Sequence, residues 1–164
     1  MIILASERST GNTFSLCHLL SKAHNIDIID LKTKEISHFD YDFKNQSDDF
    51  LPLITRIIKD YDRIIFATPV YWYSMSGRMK VFFDRLSDLL FIEKELGRQL
   101  RGKEMGVISC GSDAEIKIGF YMPFRESAGY LGMTYIGEVH GWVDENGIND
   151  EVKERIFDFG KLLV

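Results

Sequence analysis

A chain of 164 residues has the length of one domain, and with 45% hydrophobic and 27% charged residues it can bury a full core. The net charge of −5 argues against a nonspecific nucleic-acid binder, which needs a basic face. No apolar stretch approaches the ~18 residues of a membrane span, and the opening Met1-Ile2-Ile3-Leu4-Ala5 is too short for a signal segment and has no basic leader, so a cytoplasmic protein is expected. Cys17 and Cys110 are too few for a disulfide framework or a cysteine-ligated cluster, and His18, His24, His38 and His140 show no metal-ligand spacing, so no metal is expected.

Residues 1–5 are an apolar run that reads as a buried strand. Residues 12–24 carry Leu16, Leu19, Leu20 and Ala23 at helical spacing, and 26–30 reads as a second strand. The acidic stretch 35–49 has no clear period, and Asp40, Asp42, Asp48 and Asp49 are most simply a solvated loop with a helix cap. Ser47-Asp48-Asp49 offers that cap to a helix carrying Phe50, Ile54, Ile57, Ile58 and Tyr61, with Pro52 tolerated in the first turn. Residues 63–67 form a third strand, buried by its near-continuous apolar character. The strongest helical pattern runs from Gly77 to Leu90. A fourth strand is expected at 105–109, a helix at 114–131 despite Gly119, Pro123 and Gly129, a fifth strand at 134–139 and a closing helix at 149–163.

This is β-α repeated five times with no long linker and no internal repeat, hence one domain over residues 1–164. Right-handed crossovers reduce the choice to an α/β doubly wound parallel sheet, and five strands suit the order 2-1-3-4-5. Ligands of such sheets sit beyond the carboxyl ends of the strands at the topological switch, which brings the loops 6–13, 68–76 and 109–113 to one site.

The first of these loops is Ser6-Glu7-Arg8-Ser9-Thr10-Gly11-Asn12-Thr13. Its hydroxyls, Arg8 and the N–H groups of a following helix N-terminus suit an anion, and Gly11 permits close backbone approach. It is neither a Walker loop nor a G-x-G-x-x-G turn, and taken alone it also reads as an ordinary helix cap. In the second loop, Tyr71, Trp72 and Tyr73 in succession cannot all point into one core; some must line a cleft or an interface, and a flat aromatic cofactor wants such faces.

Ser9-Thr10-Gly11-Asn12-Thr13 resembles the phosphate loop of flavodoxins, and with Ser6 and Arg8 it resembles the S-x-R-x-x-G-N-T loop of the NAD(P)H-dependent FMN reductase family. Pro69 to Arg85 matches, without a gap, the family pattern P-x-Y-W-x-S-M-x-G-x-x-K-x-F-x-D-R that holds the flavin ring. The resemblance covers nearly the whole chain and implies a flavodoxin-like fold. It assigns Ser6, Arg8, Ser9, Gly11, Asn12 and Thr13 to the FMN phosphate. Pro69, Val70, Tyr71, Trp72, Ser74, Met75 and Ser76, with Ser109, Cys110, Gly111 and Ser112 of the third loop, are assigned to the ring. Cys110 stands where the family is usually glycine-rich, and a redox role for it lacks a visible partner to lower its pKa. Lys80, Asp84 and Arg85 read as helix or interface residues. One subgroup of the family carries a cysteine cluster for iron–sulfur, and that motif is absent, so no cluster is implied.

The implied activity is hydride transfer from NAD(P)H to bound FMN and delivery of electrons to a small acceptor such as a quinone, flavin, azo or nitro compound or ferric chelate. No protein acid–base residue is obligatory for this, so none is named catalytic. A homodimer or homotetramer is implied, with no nucleic-acid or membrane partner. The rival from another class is a flavodoxin-type electron carrier that ignores NAD(P)H.

Overall fold

The computed structural model describes residues 1–163. Its strands are β1 (Ile2–Leu4), β2 (Ile28–Asp30), β3 (Arg63–Pro69), β4 (Glu104–Gly111) and β5 (Thr134–Trp142). The helices are α1 (Asn12–His24), α2 (Phe50–Asp60), α3 (Gly77–Arg85), α4 (Asp88–Phe91), α5 (Lys94–Arg98), α6 (Met122–Leu131) and α7 (Asp150–Gly160). Single 3-10 turns follow β2 at Leu31–Thr33 and α7 at Lys161–Leu163. All strand pairs are parallel, and the order is β2-β1-β3-β4-β5, the doubly wound sheet expected from the β-α alternation.

Alternating side chains feed two separate cores. Ile3, Ile64, Phe66, Met105 and Val107 face α2, α3 and α6. Ile2, Leu4, Ile65, Ala67, Ile108 and Val139 face α1 and α7. Both faces are covered, which is why the strands read as continuous apolar runs rather than alternating ones. On the first face Phe66 makes an edge contact with Phe83 at 4.9 Å between centroids, and Phe83 meets Phe124 at 5.1 Å, so β3, α3 and α6 share one aromatic cluster. On the second face the β4–β5 register slips between Met105 and Gly106, opposite Gly137 at φ 129°. A side chain at Gly106 would meet Ile65 and Phe159 at 2.9 Å, so the sheet lets α7 approach only where β4 has none.

Several boundaries differ from the sequence expectation. The helix expected over 77–90 breaks after Arg85, where i→i+3 bonds from Leu86 to Phe83 and from Ser87 to Asp84 replace the α-helical ladder. The expected helix 114–131 begins only at Met122. Pro123 sits in its first turn, and Gly119 at φ 97° closes the irregular segment before it. β4 and β5 are longer than expected, and α5 and the turn at Leu31–Thr33 were not anticipated.

The reading of the acidic stretch 35–49 as a solvated loop with a helix cap holds for Asp42 and for the cap, but Asp48 is not solvated. The Arg85 side chain is 1% exposed and enters the chain's interior, where it pairs with Asp48 and with Asp88. It also donates to the carbonyls of Ser37 and Asn45, both at 3.1 Å. Asp48 further accepts from the N–H groups of Ser37 and of Phe50, at 2.9 and 3.0 Å, and so caps α2 itself. Asp49 turns away to accept from Glu35 N–H at 2.8 Å. Burial works to raise the Asp48 carboxyl, but the Arg85 guanidinium and the two N–H donors outweigh it and hold it below the usual carboxylate range.

Candidate functional site

The carboxyl ends of β1, β3 and β4 open onto one cleft of about 250 Å³. Its lining draws Ser6, Arg8, Gly11, Asn12 and Thr13 from the first loop, Pro69, Val70 and Tyr71 from the second, and Cys110, Gly111 and Ser112 from the third. A second hollow of about 310 Å³ shares Val70, Gly111 and Ser112 and runs on past Tyr73, Ile116, Lys117 and Phe120. Together they reach the size range of cofactor pockets, which is roughly 300–1,000 Å³.

At one end of the cleft stands the N-terminus of α1. No side chain caps it, and its first turn carries no acidic residue, whereas α7 is capped by Asn149 and opens with Asp150 and Glu151. The positive end of the α1 dipole and its free N–H groups therefore face the cleft beside Arg8 and the Ser6 and Thr13 hydroxyls. Gly11 packs on Arg8, and a Cβ there would lie 3.2 Å from the Arg8 Cβ.

The second loop is fixed at its base and strained at its tip. Val70 N–H donates to the Cys110 carbonyl at 2.8 Å, which locks the second and third loops together. Ser76 is buried. Its hydroxyl donates to the Ala5 carbonyl at 2.7 Å and accepts from Met79 N–H, and its own N–H donates to Thr68 Oγ1 at 2.9 Å. This ties the N-terminus of α3 to the end of β1. Between these anchors Tyr71 and Ser74 exchange two backbone hydrogen bonds, at 2.9 and 3.0 Å, around Trp72 at φ 48° and Tyr73 at φ 63°. Two positive φ values in a two-residue hairpin turn normally belong to Asn-Gly, and bulky aromatics there are strained. Trp72 is 92% exposed, so packing does not hold it out; the backbone does.

The third loop rests on a buried polar group absent from the sequence expectation. Ser109 Oγ lies 2.5 Å from the Tyr121 hydroxyl and 2.7 Å from His140 Nδ1, and His140 Nε2 lies 3.0 Å from the Asp113 carbonyl. Burial pushes the imidazole below its ordinary value, with Arg155 adding to the effect and the Asp113 carbonyl opposing it. Burial pushes Tyr121 up to about 12. Cys110 is also buried, and its thiol is pushed up to about 11 against a hydrogen bond with Thr13. It is therefore a poor nucleophile near neutrality.

Of the expected site residues, eleven line the cleft. Ser9 is not part of its lining, and Trp72 and Ser74 belong to the turn above it. Met75, Ser76 and Ser109 lie inside the protein: Met75 packs in the first core, Ser76 caps α3 and Ser109 joins His140. His140 and Tyr121 could not be found from sequence, because a lone histidine and a lone tyrosine carry no spacing signal and meet only through the pairing of Ser109 with His140 across β4 and β5.

Known proteins share both this sequence and this architecture. Residues 1–146 match the family model described as NADPH-dependent FMN reductase. YwqN of Bacillus subtilis (strain 168), whose name proposes an NAD(P)H-dependent FMN-containing oxidoreductase, is 31% identical over 150 residues, spanning 85% of this chain and 82% of the relative. The structure of the Trp repressor binding protein from Bacillus subtilis superposes with a TM-score of 0.75 at 27% identity, over 100% of this chain and 98% of the other. General stress protein 14 from Treponema denticola, solved in complex with FMN, superposes with a TM-score of 0.64 at 16% identity, over 99% and 96% of the two chains, which shows a shared fold. With the family pattern matched over most of its length, the chain belongs to the NADPH-dependent FMN reductase family.

Proposed function

We propose that residues 1–164 act as one domain that binds FMN in the cleft at the ends of β1, β3 and β4, and that NAD(P)H reduces it there for use by a small acceptor. Membership of the family makes the chain an FMN-dependent NAD(P)H oxidoreductase. The observation that carries the assignment of the site is the polarity of the cleft, with an uncapped helix N-terminus and Arg8 at one end and an outward aromatic turn at the other.

The residues present fit the cofactor. The N–H groups of α1, the hydroxyls of Ser6 and Thr13, the Asn12 amide and Arg8 would hold the phosphate, a donor set suited to a dianion. Pro69, Val70, Tyr71, Gly111 and Ser112 would flank the ring with apolar faces and backbone groups, and Cys110 would serve as wall rather than nucleophile. When bound, FMN supplies the redox chemistry, taking a hydride equivalent from the nicotinamide and releasing electrons to the acceptor. The chain's own work is to anchor, orient and screen. Trp72 and Tyr73 offer stacking faces to a nicotinamide or to a flat acceptor such as a quinone, a flavin, or an azo or nitro compound. The same exposed faces, with Ile118 nearby in sequence to the wall formed by Tyr73 and Ile116, support a homodimer or homotetramer.

The test is an anaerobic absorbance trace of FMN-loaded protein mixed with NADPH and, separately, NADH. Bleaching of the flavin band is the expected result, and the faster donor is the preferred one. Bound flavin that stays oxidised with both would overturn the reading.

A further inference from the structure

The hydrogen-bond directions in the buried group under the third loop are determined by its chemistry. The Asp113 carbonyl can only accept, so His140 Nε2 carries a proton. In a neutral imidazole Nδ1 then accepts, so the Ser109 hydroxyl donates to it, and Ser109 Oγ accepts in turn from the Tyr121 O–H. Each hydroxyl hydrogen has one place to go. The chain of donors runs from Tyr121, ahead of α6, through β4 and β5 to the loop that lines both hollows.

The ring also supports that loop sterically. A Cβ on Gly111 would lie 2.9 Å from His140 Cε1 and 3.1 Å from Nε2, so the imidazole packs directly beneath the Gly111 backbone. The titratable and charged groups around His140 come from three parts of the chain. Asp113 and Tyr121 belong to the segment after β4, Glu138 to β5, and Arg155 and Asp158 to α7. A proton on Nδ1 would turn that atom into a donor. Ser109 would then have to accept from His140, and one buried hydroxyl hydrogen, on Ser109 or on Tyr121, would lose its partner.

We infer that His140 is a positioning residue that holds Gly111–Asp113 against the cofactor cleft in its neutral form: protonation keeps the Nε2–H bond to the Asp113 carbonyl but breaks the Ser109–Tyr121 chain behind the ring, and the ring, shifting from beneath Gly111 to regain a partner, takes the loop with it. Acidification then weakens FMN binding through the loop, with no contact between His140 and the flavin required. The inference rests on the FMN reading of the cleft.

The experiment titrates FMN into the full-length apoprotein at pH 8 and pH 5, following flavin fluorescence, for wild type, His140→Gln and His140→Phe. Glutamine keeps an N–H for the Asp113 carbonyl and cannot titrate; phenylalanine keeps the bulk and no polar atom. The FMN phosphate titrates over the same range, so the quantity read is the ratio of wild-type to His140→Gln affinity. That ratio is expected to fall about tenfold from pH 8 to pH 5, the affinity equivalent of one lost buried hydrogen bond. His140→Phe is expected to bind about tenfold more weakly at both pH values, with faster amide exchange at residues 111–113 in the apoprotein, and His140→Gln to restore slow exchange. A ratio that is the same at both pH values, or exchange in His140→Phe equal to wild type, overturns the inference. Absence of FMN binding by wild type at pH 8 overturns the cofactor reading instead, and the exchange data then still decide whether His140 holds the loop.

Discussion

The guanidinium of Arg85, on the last turn of α3, reaches 37 residues back along the chain to hold the carboxylate of Asp48 at the head of α2. Asp88 balances the second side of the guanidinium, and two carbonyls take further protons, so the buried charge is fully partnered. The 35–49 segment has little apolar content to fold around, and this charge is what fastens it.

Removing the cation should therefore be costly. Arg85→Met leaves two carboxylates facing an apolar chain, and a loss of about 3–5 kcal/mol is expected in urea unfolding, with an unchanged m-value. Asp48 sets the acid limit of the same contact. Its folded pKa lies below the unfolded value, so the stabilisation is present above about pH 4 and is lost as pH falls through the folded pKa. An Asp48→Asn variant should show a shallower acid transition than wild type.

On the proposed reading Arg8 meets only the phosphate end of FMN, so a flavin without phosphate tests it. Arg8→Ala should weaken FMN by about 10–100-fold, the worth of one charged hydrogen bond, and leave riboflavin affinity unchanged. Parallel fluorescence titrations with the two flavins check this. Equal losses for both would place Arg8 away from the phosphate.

Cys110 should behave as a buried wall residue. With its thiol pushed up to about 11 by burial, it is protonated at pH 7 and a weak nucleophile. Iodoacetamide labelling of native protein should be slower than for free cysteine by orders of magnitude and should recover on unfolding. Cys110→Ala should leave flavin reduction by NAD(P)H within about twofold of wild type.

The aromatic turn carries a cost that a different sequence would avoid. Replacing Trp72 and Tyr73 together by Asn and Gly should raise thermal stability by about 1–2 kcal/mol, because both φ values become easy. The same change should lower kcat/KM for a flat acceptor. Higher stability without that loss would show that the aromatics do not touch the acceptor.

The sheet was legible in the sequence because its strands, buried on both faces, are continuous apolar runs, and the three loops follow from strand order alone. The helix after Gly111 was not legible. Residues 114–121 carry enough apolar character for a helix, but the backbone needs a left-handed turn at Gly119 before Pro123 can start one. Arg85 was read as a helix or interface residue because charge normally marks an outer face. Its partner Asp48 sits in a segment without period, and only the folded chain brings the two together. His140 was invisible for a related reason: its importance lies in strand register, which the sequence carries only diffusely.

On the proposed reading, in which the acceptor stacks on Trp72 and Tyr73, the turn also bears on how the acceptor range of such a protein drifts over evolution. Its two side chains are displayed by backbone geometry, lie outside both cores and hang from anchors at Val70 and Ser76 that do not depend on their identity. Mutation at these two positions leaves the cores unperturbed, and a residue that accepts a positive φ there also relieves strain. The rim of the proposed site can therefore change its side chains without disturbing the two cores that carry the cleft.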